Sequence, residues 1–257
     1  MNSDSRIGGS IWRTIKTQTS GSPAVALGEL IDNAIDAGAT EVDISTSSPN
    51  KGRVTIKDNG SGMALTQIDK NFFHFGSSAS HGDVSKSGSY GFGAKAGLCF
   101  FGEKISVESV KGGVQAKMDW DISKDISSDV FGSGVKQHKE KKTKKPNGTI
   151  VSVSQERSIN TVALQKNLMW QFRPAIQRGV IIRLNGDRLI CNELPWKDTP
   201  TEYTGEIDGQ AFSVLCGELE KPKDWKGGIV KTGVNVQKVH RFVPKLTGWT
   251  DPVEEAP

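Results

Sequence analysis

Glu29 and Asn33 lie four residues apart, one turn along a helix and on the same face. A carboxylate in that place can orient or deprotonate a water. An amide oxygen one turn on can ligate a hard cation such as Mg²⁺, which takes few protein ligands, all oxygen. Further along, Asp58-Asn59-Gly60-Ser61-Gly62 offers an acid followed by a glycine turn. Asp58 can accept a hydrogen bond from an exocyclic amine such as that of adenine, and Gly60 and Gly62 let backbone pass close to a ring. A third stretch, 88–97, is rich in glycine and carries Lys95. Its backbone N–H groups and the helix start that follows suit phosphate oxygens. The chemistry these three would perform together is transfer of the terminal phosphate of ATP to water. That reaction needs neutralised charge, a placed water and a cradle of donors.

Each segment also has a plainer reading. Glu29, Asp32, Asn33 and Asp36 form one acidic arc, which an ordinary amphipathic helix with a solvated face also shows. Asp58-Asn59-Gly60 is a common turn, and 88–97 also reads as a surface loop. The last is not the GxxxxGK[ST] phosphate loop, since Ala96 follows Lys95, and Gly91-x-Gly93 does not complete a dinucleotide fingerprint.

The elements that must position these residues are legible in outline. Residues 22–37 predict a helix with Ser22 as N-cap, Pro23 at the first position and Gly38 as its stop. Its apolar side carries Leu27, Leu30, Ile31, Ala34 and Ile35. Strands follow at 41–47 and 53–57, joined by turn residues 48–52. Residues 63–75 predict a short helix bearing Phe72, Phe73 and Phe75, then the long Gly/Ser/Ala loop runs into a helix start near 97. Two strand pairs are expected next, 104–110 with 114–120, and 149–155 with 180–184. A helix at about 160–173 separates the second pair, and Asn185-Gly186-Asp187 predicts a hairpin turn into 188–191. Beyond 195 prolines punctuate short strand-like runs at 211–219 and 228–236. We expect one domain over 1–195 and a smaller one over 196–257, since about 60 residues are few for an independent core.

Composition narrows the class. The chain has 257 residues and a formal net charge of +4, enough length for a real core and too little charge to declare a nucleic-acid binder. No apolar run approaches the roughly 20 residues of a membrane span, and the first residues show no signal-peptide core. Cys99, Cys191 and Cys216 are widely spaced, which favours reduced thiols and a cytoplasmic or nuclear setting over a disulfide framework.

The segments in this order resemble the GHKL ATPase superfamily of gyrase, Hsp90, histidine kinases and MutL. Its first motif is matched by Glu29-Leu-Ile-Asp-Asn33-Ala and its second by Asp58-Asn-Gly60-Ser-Gly62-Met63. The third is matched by the 88–97 loop, and the fourth by Gly148-Thr149. The MORC-type branch is the nearest in pattern, with Phe75-Gly76 opening the lid and Tyr90-Gly91-Phe92-Gly93-Ala94-Lys95-Ala96-Gly97 closing it. The resemblance covers about residues 10–190. It implies an α/β two-layer sandwich of the Bergerat type, with a small mixed or β extension at the C-terminal side. It implies Glu29 as general base, Asn33 as Mg²⁺ ligand and Asp58 as reader of adenine, with Thr149 assisting through water. Gly88 to Lys95 would form the ATP lid, with Lys95 on the phosphates, while Gly60, Gly62 and Met63 would flank the base. Asp36, on the polar arc beyond Asn33, would line the path to the base. A homodimer assembled by ATP would follow. Relatives of the MORC, Hsp90 and MutL type add a transducer domain that supplies a lysine to the γ-phosphate. Here only a partial equivalent fits after 195, with Gly233 to Val236 and Arg241 faintly similar to its opening. Lys231, Lys238 and Lys245 are the candidate lysines.

Residues 136–145 hold six lysines and one glutamate. They read either as a contact to a DNA or RNA backbone or as a solvated loop between strands, with no aromatic residue interleaved for base stacking. His74, His81, His138 and His240 lack metal-ligand spacing, and the tryptophans are expected in the core or between subdomains. Two rival functions remain. A histidine-type protein kinase would need a dimerising helix bearing an acceptor histidine, which the sequence does not show. A non-hydrolysing ATP- or nucleic-acid-binding module would not need Glu29.

Overall fold

A computed structural model describes residues 11–18, 22–47, 52–70, 93–191, 196–207, 210–216, 237–238 and 241–242. Helix α1 (Ile11–Gln18) precedes α2 (Pro23–Asp36). The Val25 N–H donates to Ser22 Oγ at the start of α2, with Pro23 in the first turn. At its end Gly38 takes φ +80°, and the Gly38 and Ala39 N–H groups close on Ile35 and Ala34 carbonyls. Caps and breaker therefore work as the sequence predicts.

Strands β1 (Glu41–Ser45) and β2 (Arg53–Asp58) follow, then short α3 (Leu65–Ile68) and α4 (Gly93–Phe101). Next come the hairpin β3 (Lys104–Lys111) and β4 (Val114–Asp121), α5 (Ile122–Ser128), and two short strands, β5 (Val135–Gln137) and β6 (Lys141–Lys142). Strand β7 (Gly148–Ser154), helices α6 (Thr161–Gln171) and α7 (Arg173–Gln177), then β8 (Ile181–Leu184) and β9 (Asp187–Arg188) complete the main body. Two small pairs lie beyond it, β10 (Thr201–Ile207) with β11 (Gln210–Cys216) and β12 (Gln237–Lys238) with β13 (Arg241–Phe242).

The main sheet has nine strands in the order β5-β4-β3-β7-β2-β1-β8-β9, with β6 also on β4. Its neighbours are antiparallel apart from the parallel β1–β8 pair. Period-two alternation sorts the faces. Ile105, Val107, Val151, Val153, Val54, Ile56, Val42 and Ile44 are buried beneath the helices, while Arg53, Lys57, Glu41 and Asp43 take the other face. The fold is the mixed α/β sandwich expected, with β pairs as the extension. Among the described residues no helix is long and apolar enough to cross a membrane.

Three sequence expectations change. Strand β7 does not pair with β8: it lies between β2 and β3, and β8 runs parallel to β1. The intervening helices α6 and α7 carry the chain to the far edge, which local pattern cannot reveal. Segment 136–145 is not a plain loop, since β5 and β6 pair with β4. The predicted 63–75 helix is regular over Leu65–Ile68, and Phe72, Phe73 and Phe75 lie outside the described residues. The expected turn at 185–186 does form, with positive φ at both residues as a two-residue hairpin requires.

A buried carboxyl group ties α1 to the sheet edge. Asp125 is fully buried and accepts from Trp12 Nε1 (3.1 Å), Trp120 Nε1 (2.9 Å) and the backbone N–H groups of Gly132 (2.8 Å) and Gly134 (2.7 Å), as well as Ser133 Oγ (3.2 Å). Trp12, Trp120 and Phe131 pack around it with ring centroids 4.9–5.6 Å apart. Removing the acceptor strands several buried donors at once, so Asp125→Ala is expected to cost about 3–5 kcal/mol. Urea denaturation followed by tryptophan fluorescence would measure it. An unchanged midpoint would show that water replaces the carboxyl group at no cost.

Candidate functional site

Three adjacent strands end in one polar row. The registers Asp58↔Thr149 and Ser109↔Thr149 place Asp58, Thr149 and Ser109 side by side on the helix-covered face. The next row inward is Ile56, Val151 and Val107, all buried. Polar side chains thus close the end of an otherwise apolar face.

Asp58 is held by its own loop. Its Oδ1 accepts from Gly60 N (2.8 Å) and Thr149 N (3.3 Å). Among the described residues both of its hydrogen bonds fall on Oδ1 and none on Oδ2. Burial pushes the Asp58 carboxyl above its ordinary range, while those two N–H bonds oppose the shift. Asn59 points the other way and staples the loop to β1: its Oδ1 accepts from Thr40 N (2.9 Å) and Glu41 N (3.0 Å), and its Nδ2 donates to Thr40 Oγ1 (2.9 Å).

The glycines of this loop answer to close approaches. A Cβ on Gly60 would meet the Ala37 carbonyl oxygen at 3.0 Å, and the Ser61 N–H donates to that same oxygen at 2.9 Å. Gly62 takes φ +69°, and a Cβ there would meet Val110 O at 1.9 Å, so only glycine fits. Half-buried Met63 then follows, and its N–H donates to Ser109 Oγ at 2.8 Å.

Because Gly60 and Ser61 abut Ala37, the C-terminal end of α2 lies at the Asp58 loop. Asp36 is there and half-buried. Glu29, seven residues earlier, is roughly 10 Å away along the axis, with Asn33 between them. Glu29 is half-buried and Asn33 exposed. Glu29 thus lies midway along α2 and Asn33 in its last turn and a half. Asp32 departs from the expected polar arc: it is 1% exposed. Helix α2 packs against β2, α4 and α6, so its buried arc is wider than a two-sided count implies.

Helix α4 brings Lys95 to the earlier half of α2. A Cβ on Gly97 would meet the Ala26 carbonyl oxygen at 2.4 Å, so the two helices touch backbone to backbone. Lys95, in the first turn of α4, is 1% exposed, and burial lowers its ammonium to about 8, partly offset by Cys99. Gly93 and Ala94 open this helix, and nothing is described of the Ala94 side chain. Gly88, Tyr90, Gly91 and Phe92 lie outside the described residues, as do His74, His81, Lys231 and Lys245. Lys238 is in β12.

The structure therefore brings Asp58, Gly60, Gly62, Met63 and Thr149 together with Asp36, and sets Glu29 and Asn33 farther along the same helix. Sequence reasoning missed Ser109 and Asn59. Ser109 had a signal: in the alternation Ile105, Val107, Ser109, it is a polar residue in an inward register.

A mixed sheet, with helices on one face and a carboxylate–hydroxyl row ending its central strands, makes an α/β sandwich with one polar end. The chain belongs to the Histidine kinase-, DNA gyrase B-, and HSP90-like ATPase family, which it matches over residues 21–161, more than half its length. This establishes the superfamily. A DNA mismatch repair protein MutL of Agrobacterium fabrum is 51% identical over 47 residues, covering 18% of this chain and 8% of the relative. The MutL of Anaplasma phagocytophilum is 29% identical over 102 residues, covering 39% and 16%. The ATPase region of Saccharomyces cerevisiae topoisomerase II bound to ICRF-187 superposes with a TM-score of 0.50 at 17% identity, covering 65% of this chain and 48% of that one. The chain thus spans less than half the length of each.

Proposed function

We propose that this chain is an ATP-driven switch of the MORC-like kind: it binds ATP with Mg²⁺, hydrolyses it slowly to ADP and phosphate, and forms a homodimer when ATP closes the lid. The carrying observation is Asp58, whose Oδ1 is braced by the Gly60 and Thr149 N–H groups and leaves Oδ2 to a ligand donor, with Glu29 and Asn33 farther along the helix that abuts it. Asp58 takes the adenine amine, with Thr149 beside it, while Gly60, Gly62 and Met63 shape the base end and Asp36 flanks the path. The donor set fits Mg²⁺: an exposed amide oxygen at Asn33, leaving the other positions to phosphates and water. Mg²⁺ would supply charge neutralisation on the phosphates. Glu29 orients a water and takes its proton as the water oxygen attacks the γ-phosphorus. The β–γ bridging bond breaks and ADP leaves. Lys95, with Gly88, Tyr90, Gly91, Phe92, Gly93 and Ala94 of the lid, holds the phosphates; bound phosphate would draw its proton back despite burial.

Phosphate release with Mg²⁺ and with EDTA tests the enzyme, and light scattering with a non-hydrolysable ATP analogue tests the switch. Mg²⁺-dependent release and a doubled mass are expected. A monomer at every nucleotide concentration would remove dimerisation from the account.

A second reading concerns DNA. Lys136, Lys139, Lys141, Lys142, Lys144 and Lys145 are all exposed along the β5–β6 edge of the sheet. Lys145 contacts Glu108 at 3.3 Å, a weak exposed pair. A paired edge presents these charges on a fixed frame to a phosphate backbone. Gel shifts with duplex DNA at two salt concentrations should show binding that weakens with salt, and alanine at Lys141, Lys142, Lys144 and Lys145 should flatten that dependence. Equal shifts by the variant would show that the edge is only solvated.

A further inference from the structure

We propose that Ser109 is a specificity-determining positioning residue, which acts by setting the direction of the Thr149 hydroxyl proton at the base end; this rests on the ATP reading above. Ser109 is 1% exposed and Thr149 is buried beside it. Ser109 Oγ accepts the Met63 N–H at 2.8 Å, and lies 3.0 Å from the Gly148 carbonyl oxygen and 2.9 Å from Thr149 Oγ1. A hydroxyl has one proton to give. If Ser109 gives its proton to Gly148 O, Thr149 must donate to Ser109 and turns lone pairs to the site. If Ser109 donates to Thr149, the Thr149 proton is released toward the site.

The two arrangements read opposite base edges. Adenine presents an amine donor beside N1, an acceptor. Guanine presents an oxygen acceptor beside an N1–H donor. Asp58 Oδ2 is an acceptor and suits the adenine amine. The adenine N1 then requires a donor, reached directly or through one water. The Ser109-to-Thr149 arrangement supplies it. Ser109 also ties Met63, and so the end of the glycine loop, to the same hydroxyl pair. A buried site left with mismatched donors rejects the wrong base more strongly than a loose pocket would.

The test compares ATP, GTP and 1-deaza-ATP, in which a C–H replaces N1, by equilibrium binding to the full chain. Wild type should prefer ATP over both. Ser109→Ala should lose about tenfold of the ATP-over-GTP preference, Ser109→Thr should restore most of it, and adding Ser109→Ala to Thr149→Val should change the ratio less than about twofold. If Ser109→Ala does not fold, 1-deaza-ATP on wild type still decides: about tenfold weaker binding than ATP is expected. An unchanged ATP-to-GTP ratio in folded Ser109→Ala, or 1-deaza-ATP binding as tightly as ATP, overturns this inference alone. Failure of wild type to bind ATP overturns it together with the ATP reading.

Discussion

Glu29→Ala is expected to slow phosphate release by about 10²–10⁴-fold, the usual contribution of a placed general base, while ATP binding changes by no more than about threefold. The split follows from position. Glu29 lies roughly 10 Å along α2 from the Asp58 end, so its loss leaves the Asp58–Thr149–Ser109 row untouched. As the proposed base it takes a proton from the water only as the water attacks, so its stabilisation belongs to the transition state. Glu29 is also half-buried on a helix anchored by Leu27, Leu30 and Ile31, each at most 4% exposed, so alanine there should fold normally. Single-turnover phosphate release beside equilibrium ATP binding measures both halves. Equal release by the two proteins would take the base role away from Glu29.

The second large effect belongs to Asp58→Asn, expected to weaken ATP binding by about 100-fold while the melting temperature moves less than about 3 °C. Asparagine can keep an oxygen where Oδ1 accepts from Gly60 and Thr149, so the loop stays tied. It then presents an NH₂ group where Oδ2 was, donor against the donor amine of adenine. Loss of affinity with an intact fold separates recognition from structure. A calorimetric titration and a thermal melt together read it, and unchanged affinity would place the base elsewhere.

How much of this was legible before the fold was known depends on the range of the cause. Helix α2 was legible to its ends because Ser22, Pro23 and Gly38 act locally. The strands flanking Gly112-Gly113 and the turn at Asn185-Gly186 were legible for the same reason. The motif residues around Asp58 were legible as types, but not their partnerships. Thr149 meets Asp58 across 91 residues of chain, and the α6–α7 crossover that sets β8 parallel to β1 leaves no local mark in the strands. Hence β7 was paired wrongly, and Ser109, whose partners come from β7 and the glycine loop, went unseen. Asp32 misled because a helix flanked on several sides buries residues that a two-sided pattern assigns to water. The lysine-rich segment read as solvent-exposed, which its side chains are, while its backbone completes an edge of the sheet. Lysine on an edge strand is also how sheets discourage further pairing.

In the proposed complex adenine sits at the Asp58 loop beside the C-terminal end of α2, and the phosphates with Mg²⁺ lie back along the helix at Asn33 and Glu29. Calorimetric titration of the full wild-type chain with ATP and with GTP, each with and without Mg²⁺, addresses it most directly. One ATP per chain is expected, bound tighter with Mg²⁺, and GTP much more weakly. Absence of ATP binding, or ATP and GTP bound equally whether or not Mg²⁺ is present, would contradict it.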